Sequence, residues 1–220
     1  MWKKIIYAIL EILFPAGCYF CKKPGNYLCE DCKTLLEISP VHQPNRSTTF
    51  LDDVYAAGDY KNRFIKKMVM CLKYEPFHRA LAAPLAGLVG DHFRLAEKNI
   101  DRSAIIVAVP LAQKRIRWRG FNQARAIADE LGKIWQLPVS DNALIRTRET
   151  KIQADLDRKG RRENIKGAFI CPDNSSIIDK TVYLIDDVFT TGATMEEGAK
   201  ILKRHGAAIV IGIAVARTEK

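Results

Sequence analysis

The chain has 220 residues, 48% hydrophobic and 27% charged, which suits a soluble globular protein of one or two domains and excludes a low-complexity chain. Thirty-five Lys and Arg against twenty-five Asp and Glu leave a formal charge of +10. Such a surplus favours polyanionic partners: nucleic acid, phosphorylated metabolites or anionic lipid.

The opening "MWKKIIYAILEILF" combines two lysines with an apolar run, as a signal peptide does. Glu11 interrupts that run, which falls well short of the ~20 residues of a bilayer span. Cleavage at "PAGC" would fall immediately before a group of cysteines. Ile5, Ile6, Ile9, Leu10 and Leu13 share one helical face, so the segment reads as a short docking helix. The expectation is a cytoplasmic protein with no stable membrane span.

Next comes "CYFCKKPGNYLCEDC", in which Cys18 and Cys21 form one C-x2-C pair and Cys29 and Cys32 another. Paired knuckles converge four thiolates on one ion, and "KKPGNY" suits the turn that joins them. Two disulfides or a redox C-x2-C are the rival readings. A cytoplasmic chain disfavours the first and duplication of the motif the second, so structural Zn2+ is expected. A four-cysteine site is coordinatively closed, so the metal folds the segment and does not catalyse. Cys71 and Cys171 read as packing residues.

Residues 40–49, "PVHQPNRSTT", read as a linker. The expected division is residues 1–40, an amino-terminal helix and zinc-binding module, and residues 50–220, a second domain. Residues 50–60 read as a strand with a turn at Gly58. The segment "KNRFIKKMVMCLKY" has Phe64, Met68 and Leu72 four apart with Ile65 and Val69 alongside, an amphipathic helix. A further helix follows over residues 79–97, kinked at Pro84. From residue 104 the rhythm is strand, loop, helix: "AIIVAVP", a basic loop, then a helix capped by Asn122. "ALIRTR" and "TVYLID" are further strands. "TMEEGAKILKRHG" is a helix with Glu196 and Glu197 in its first turn and Gly206 at its end, and "AAIVIGIAVA" is a last buried strand. Alternating α and β elements with all-apolar strands predict an α/β fold, a parallel sheet flanked by helices.

The candidate site lies at the end of "TVYLID". Asp186 and Asp187 precede Val188, Phe189, Thr190, Thr191, Gly192, Ala193 and Thr194. A tight loop opening a helix aims backbone N–H groups and the helix dipole into one cavity, the threonines add donors, and Gly192 permits close approach. That half suits a phosphomonoester. Two carboxylates would repel phosphate but accept hydrogen bonds from vicinal ribose hydroxyls, so the whole describes a ribose 5-phosphate. The plainer reading is a capped helix after a strand.

Residues 182–194 resemble, without departure, the 5-phosphoribosyl-1-pyrophosphate (PRPP) binding motif of type I phosphoribosyltransferases. "VPLAQKRIRWRGFNQA" (109–124), "TKIQADLDRKGRRENIKGAF" (150–169) and the paired knuckles resemble the ComF family over residues 18–215. The resemblance implies a type I phosphoribosyltransferase-like domain at 50–220 behind a four-cysteine zinc module. It also implies a role in DNA uptake during natural transformation. Partners would be PRPP with Mg2+, single-stranded DNA, and a DNA-uptake helicase or membrane-channel machinery.

Two basic segments complete the candidate site. Lys114, Arg115, Arg117, Arg119, Gly120, Phe121 and Asn122 follow the first core strand, where this fold receives pyrophosphate. Their interleaving with Trp118 also describes a single-stranded nucleic-acid surface. The second, with Thr150, Gln153, Arg161, Arg162 and Asn164, resembles the loop that closes over the site in these transferases. A solvated basic loop and an exposed charged helix are the plainer readings.

Two functions of different classes follow. One is phosphoribosyl transfer to a nitrogen acceptor, with Asp186 and Asp187 as catalytic residues. Another is a non-catalytic DNA-binding protein whose ribose-phosphate site is regulatory. The reading adopted joins them: a DNA-uptake protein with a competent PRPP site. A transferase acting on a small nitrogen acceptor without a DNA role is the remaining alternative.

Overall fold

A computed structural model describes residues 17–42, 48–74, 78–149 and 158–218, the side chains of 158 and 159 excepted. The predicted amino-terminal helix, the middle of the predicted linker, and Thr150 and Gln153 lie outside the described residues. The chain divides into two compact units, residues 1–37 and 38–220.

In the first unit, Gly17 bridges Pro24, and the Cys18 N–H donates to the Lys23 carbonyl at 2.8 Å. The Lys22 N–H returns to the Cys18 carbonyl at 2.9 Å. These bonds close the first knuckle, with Gly25 taking a positive φ of 123° in the connecting turn. The second knuckle opens a one-turn helix, α1 (Glu30–Lys33).

The second unit begins with β1 (Asp53–Asp59) and α2 (Arg63–Lys73), whose N-cap Asn62 accepts from the N–H groups of Phe64 and Ile65. A 3-10 turn (Arg79–Leu81) leads into α3 (Ala82–Leu95), and β2 (Ile105–Ala108) follows. Then come α4 (Gln113–Arg119), α5 (Gln123–Trp135) and β3 (Val139–Ser140). The antiparallel pair β4 (Ile145–Arg146) and β5 (Phe169–Ile170) brackets α6 (Arg158–Ile165). The chain ends with β6 (Thr181–Phe189), α7 (Ala193–Arg204) and β7 (Ile209–Arg217).

Five strands form one parallel sheet in the order β1-β7-β6-β2-β3. Central strands of such a sheet are covered on both faces, which is why β2 and β6 lack the alternation of a half-exposed strand. The core is aliphatic: Ile65, Met68, Leu72, Leu85, Leu88, Ile106, Ile127 and Leu131 are fully buried. Each contributes about 1.5–3 kcal/mol of transfer free energy.

Several expectations change. Gly58 makes no turn; it stays within β1, paired with Ala216 on one side and bridged to Ile38 on the other. Pro84 sits in the first turn of α3, where its missing N–H costs no helical bond, so α3 starts near it. The basic stretch after β2 is not a loop through 110–121, because residues 113–119 are helical and Gly120 closes the helix at φ +79°. "ALIRTR" leaves the parallel sheet and pairs antiparallel with β5. The two-residue β3 completes the sheet edge without having been expected. Nor is the end of the predicted linker loose. The Glu196 carboxylate accepts from the N–H groups of Thr49, Phe50 and Leu51 at 2.5, 2.8 and 3.2 Å.

Candidate functional site

In chain order β2 leads to β3 on one side and to β6 on the other, so the strand order reverses between β2 and β6. Open α/β sheets receive ligands at the carboxyl ends of strands beside such a reversal. The last bond across the gap is from the Val109 N–H to the Ile185 carbonyl, 2.9 Å. Beyond it β6 continues through Asp186, Asp187, Val188 and Phe189 while the other chain turns away. This opens a cavity of about 680 Å3.

The acid pair forms part of its wall. Both acids lie inside β6, with Asp186 paired by register to Ala214 of β7, rather than beyond the strand's end. Consecutive strand residues point to opposite faces, so each acid meets different neighbours. The Asp187 carboxylate is 2.8 Å from Nζ of Lys73, the last residue of α2. Burial disfavours the Lys73 ammonium, but the charges of Asp187 and Asp186 prevail and hold its pKa above the ordinary lysine value. Asp186 accepts the Asp187 N–H at 2.8 Å. Burial, together with the charge of Asp187, pushes the Asp186 carboxyl up to about 7 against the pull of Lys73 and Arg146.

Gly192 forms the floor of the turn into α7. Its φ is +75°, and a Cβ there would lie 2.7 Å from Cζ of Phe189. Only glycine lets the turn close over that ring. The Thr191 hydroxyl accepts from the Ala193 N–H at 3.4 Å, and the Glu196 N–H donates to the Gly192 carbonyl at 2.8 Å. The turn thus sets the amino end of α7, with its positive dipole, on the cavity. Arg161 of α6 donates to the Thr190 hydroxyl at 3.4 Å.

The facing wall comes from α2, α4 and β4. Lys73, Lys114, Arg115, Arg119, Arg146 and Arg161 line the cavity, against Glu149 and the two aspartates. Arg119 donates to the Gln123 amide oxygen at 2.9 Å. Burial, with the like charges of Arg115 and Arg148, lowers Arg146 to about 10, so it stays cationic at neutral pH.

In the amino-terminal unit the sulfurs of Cys18, Cys21, Cys29 and Cys32 lie within 4.8 Å of one another, with Cys21 and Cys29 at 3.5 Å. Tetrahedral zinc–thiolate bonds of ~2.3 Å place sulfurs about 3.8 Å apart, so the donor set fits that ion. Burial raises the Cys18 thiol, but backbone N–H donors of Cys29, Cys21 and Phe20, with the Cys32 thiol, bring it down to about 6. One thiolate is therefore ready at neutral pH.

Residues 116–219 match the family model described as "Phosphoribosyl transferase domain". Competence protein F of Haemophilus influenzae is 36% identical over 129 residues, 58% of this chain and 56% of that protein. The DNA utilization protein YhgH of Escherichia coli K12 is 38% identical over 105 residues, 48% and 45% of the two chains. Competence protein ComFC of Bacillus subtilis is 28% identical over 198 residues, 87% of this chain and 73% of that one. The chain thus carries a phosphoribosyltransferase domain and is similar to proteins named for competence and DNA utilization. The chain spans about half the length of the first two of these relatives.

The sequence-predicted residues divide. Asp186, Asp187, Val188, Phe189, Thr190, Gly192, Ala193 and Thr194 line the cavity, and Thr191 bonds the turn from behind. Lys114, Arg115, Arg119 and Asn122 line it; Arg117, Gly120 and Phe121 do not. Phe121 instead faces Arg79, whose guanidinium lies 5.9 Å from its ring centre. Of the expected lid, Arg161 lines the cavity, while Arg162 and Asn164 lie on α6 without reaching it. Sequence reasoning missed Tyr60, Lys73, Tyr74 and Arg146. Tyr60 to Tyr74 flank or end α2, and the one available hint was that a helix following β1 must finish near the strand ends where the site lies.

Among the described residues no helix is long and apolar enough to cross a membrane.

Proposed function

We propose that the cavity binds PRPP as its Mg2+ complex and that the protein serves DNA uptake, handling single-stranded DNA. The acid pair beside the Gly192 turn, at the reversal of strand order, carries the reading. Asp186 and Asp187 suit the ribose hydroxyls, and the amino end of α7 with Thr190 and Thr194 suits the 5-phosphate. Lys114, Arg115 and Arg119 suit the pyrophosphate, whose charge the accompanying Mg2+ also offsets.

The reaction suited to this arrangement is transfer of the phosphoribosyl group to a nitrogen acceptor. The C1–O bond to pyrophosphate breaks, a C1–N bond forms, and the acceptor's proton is lost. Of the chain's four histidines none lines the cavity. Asp186, held near 7, is then the group suited to take that proton. The role in DNA uptake rests on the resemblance to the ComF family and on the names of Competence protein F, YhgH and ComFC. A cytoplasmic location and an uptake helicase or membrane-channel machinery as partner belong to the same reading. The four cysteines would hold a structural Zn2+.

Calorimetric titration of PRPP with Mg2+ tests the site, comparing wild type with the Asp186→Asn/Asp187→Asn double variant. Saturable binding that the variant loses is expected. No binding by zinc-loaded wild type would overturn the PRPP reading and leave the non-catalytic DNA-binding alternative.

A further inference from the structure

The cavity has a second chemistry at its rim. Tyr74, in the extended residue that ends α2, and Trp118 of α4 meet edge to face, ring centres 6.5 Å apart at 68°. Arg119 lies 5.5 Å from the Tyr74 ring centre and 5.6 Å from that of Trp118, spanning both. Tyr74 is 41% exposed, Trp118 54% and neighbouring Met70 39%. Large apolar side chains are seldom left so open beside one another unless something covers them.

We infer that this rim is a stacking site for the bases of single-stranded nucleic acid, with Lys114 and Arg115 receiving the adjoining phosphates. Resting on the proposed DNA role, the inference assigns it to residues and gives it a recognition mode. Three observations favour a strand over a free base. First, both cations lie on α4 with Trp118, within one or two turns of the rings, so base and backbone are met together. Second, the amides that could read a base edge are engaged internally. Asn122 caps α5 and donates to the Val109 carbonyl at 3.0 Å, while Gln123 accepts from Arg119 and donates to the Leu72 carbonyl. Third, α4 buries none of its residues, so its outer face is available to a long ligand. Stacking without edge reading is tolerant of sequence.

The test uses the full zinc-loaded chain and a labelled oligothymidylate at fixed salt, read by anisotropy and by quenching of Trp118. Trp118→Ala and Tyr74→Ala are each expected to weaken binding about 5- to 150-fold, the range for loss of one stacked base. Trp118→Phe should restore most of it, and oligodeoxyadenylate should bind wild type within a few-fold of oligothymidylate. Because Trp118 is exposed, the variants should keep the wild-type melting temperature, so folding does not confuse the result. Unchanged affinity in Trp118→Ala would overturn the inference, as would binding of free adenine or uracil at the rings without binding of the oligomer. Calorimetry with PRPP separates this proposal from the one beneath it. Failure of PRPP to bind, with Trp118-dependent oligomer binding intact, would sink the ribose-phosphate reading alone. Loss of PRPP affinity in Trp118→Ala would assign the rings to that ligand and overturn the stacking site.

Discussion

Asp186→Asn should stabilise the ligand-free protein at alkaline pH and have its smallest effect at acid pH. An ordinary aspartate titrates near 3.8, and the folded protein lifts Asp186 to about 7, through burial first and the charge of Asp187 second. Between those values the native state holds a proton that the unfolded chain has lost. Stability therefore falls as pH rises through about 4 to 7, and is level above that. At about 1.4 kcal/mol per tenfold change in proton affinity, the interval corresponds to on the order of 4 kcal/mol at pH 8. Asp186 is only partly buried, so this is a ceiling.

Asparagine keeps an oxygen to accept the Asp187 N–H and carries no charge at any pH, which removes both causes of the penalty. Urea denaturation of wild type and variant from pH 4.5 to 8.5 measures it. The difference should be smallest at the acid end and grow by at least about 1 kcal/mol in the variant's favour by pH 8. Titrating groups that do not feel the charge of Asp186 are common to both proteins and cancel. A variant less stable than wild type at pH 8, or a difference that does not change with pH, would refute the reasoning. The same substitution should weaken PRPP binding, the usual exchange of stability for function at a built site.

Gly192→Ala should cost about 1–2 kcal/mol for its left-handed backbone alone and more for displacing Phe189; thermal melting and PRPP calorimetry should both register the loss. Glu196→Ala removes the acceptor of three N–H groups and should cost about 2–3 kcal/mol by urea denaturation, with α7 otherwise intact by circular dichroism. Zinc chelation, checked by elemental analysis, should open residues 17–37 to proteolysis while residues 38–218 stay resistant. Lys114→Ala/Arg115→Ala should lower the salt slope of oligothymidylate binding by about 1.4, the release expected for two phosphates on a single strand.

What was legible in the sequence was local. The segment 182–194 carries strand, acid pair, turn and helix start in one run, and the cysteine pairs likewise sit fifteen residues from end to end. The helices over 63–73 and 123–135 follow from periodicity and from caps within the same stretch. Residues that depend on distant partners were not legible. Lys73 looks like one more solvated lysine in "FIKKMVMCLKY" until the fold brings it to Asp187. Glu196 reads as a first-turn acid serving the helix dipole, yet it fastens a segment almost 150 residues earlier in the chain. Gly58 reads as punctuation because glycine usually is, whereas here neighbours on both sides hold it extended. β3 spans two residues, too few for any period to show.

A cavity lined by six cations has room for acids only if each is answered. Asp187 is met by Lys73 from α2, and Asp186 feels the charge of Lys73 and of Arg146 from β4, so the pair draws its neutralisation from two elements that both precede β6 in the chain. Alternation along a strand turns neighbouring side chains apart, so Lys73 makes its close ion pair with Asp187 and reaches Asp186 through its charge at longer range. Across the lining as a whole six cations face three acids, Glu149 being the third. A ligand that presented hydroxyls alone would leave that surplus of positive charge uncompensated, and one that presented phosphates alone would set like charge against the acid pair. On the proposed reading both demands are met by a ligand that carries a diol at one end and several phosphate charges elsewhere, which would account for two adjacent aspartates in the interior of a strand beside a basic cavity.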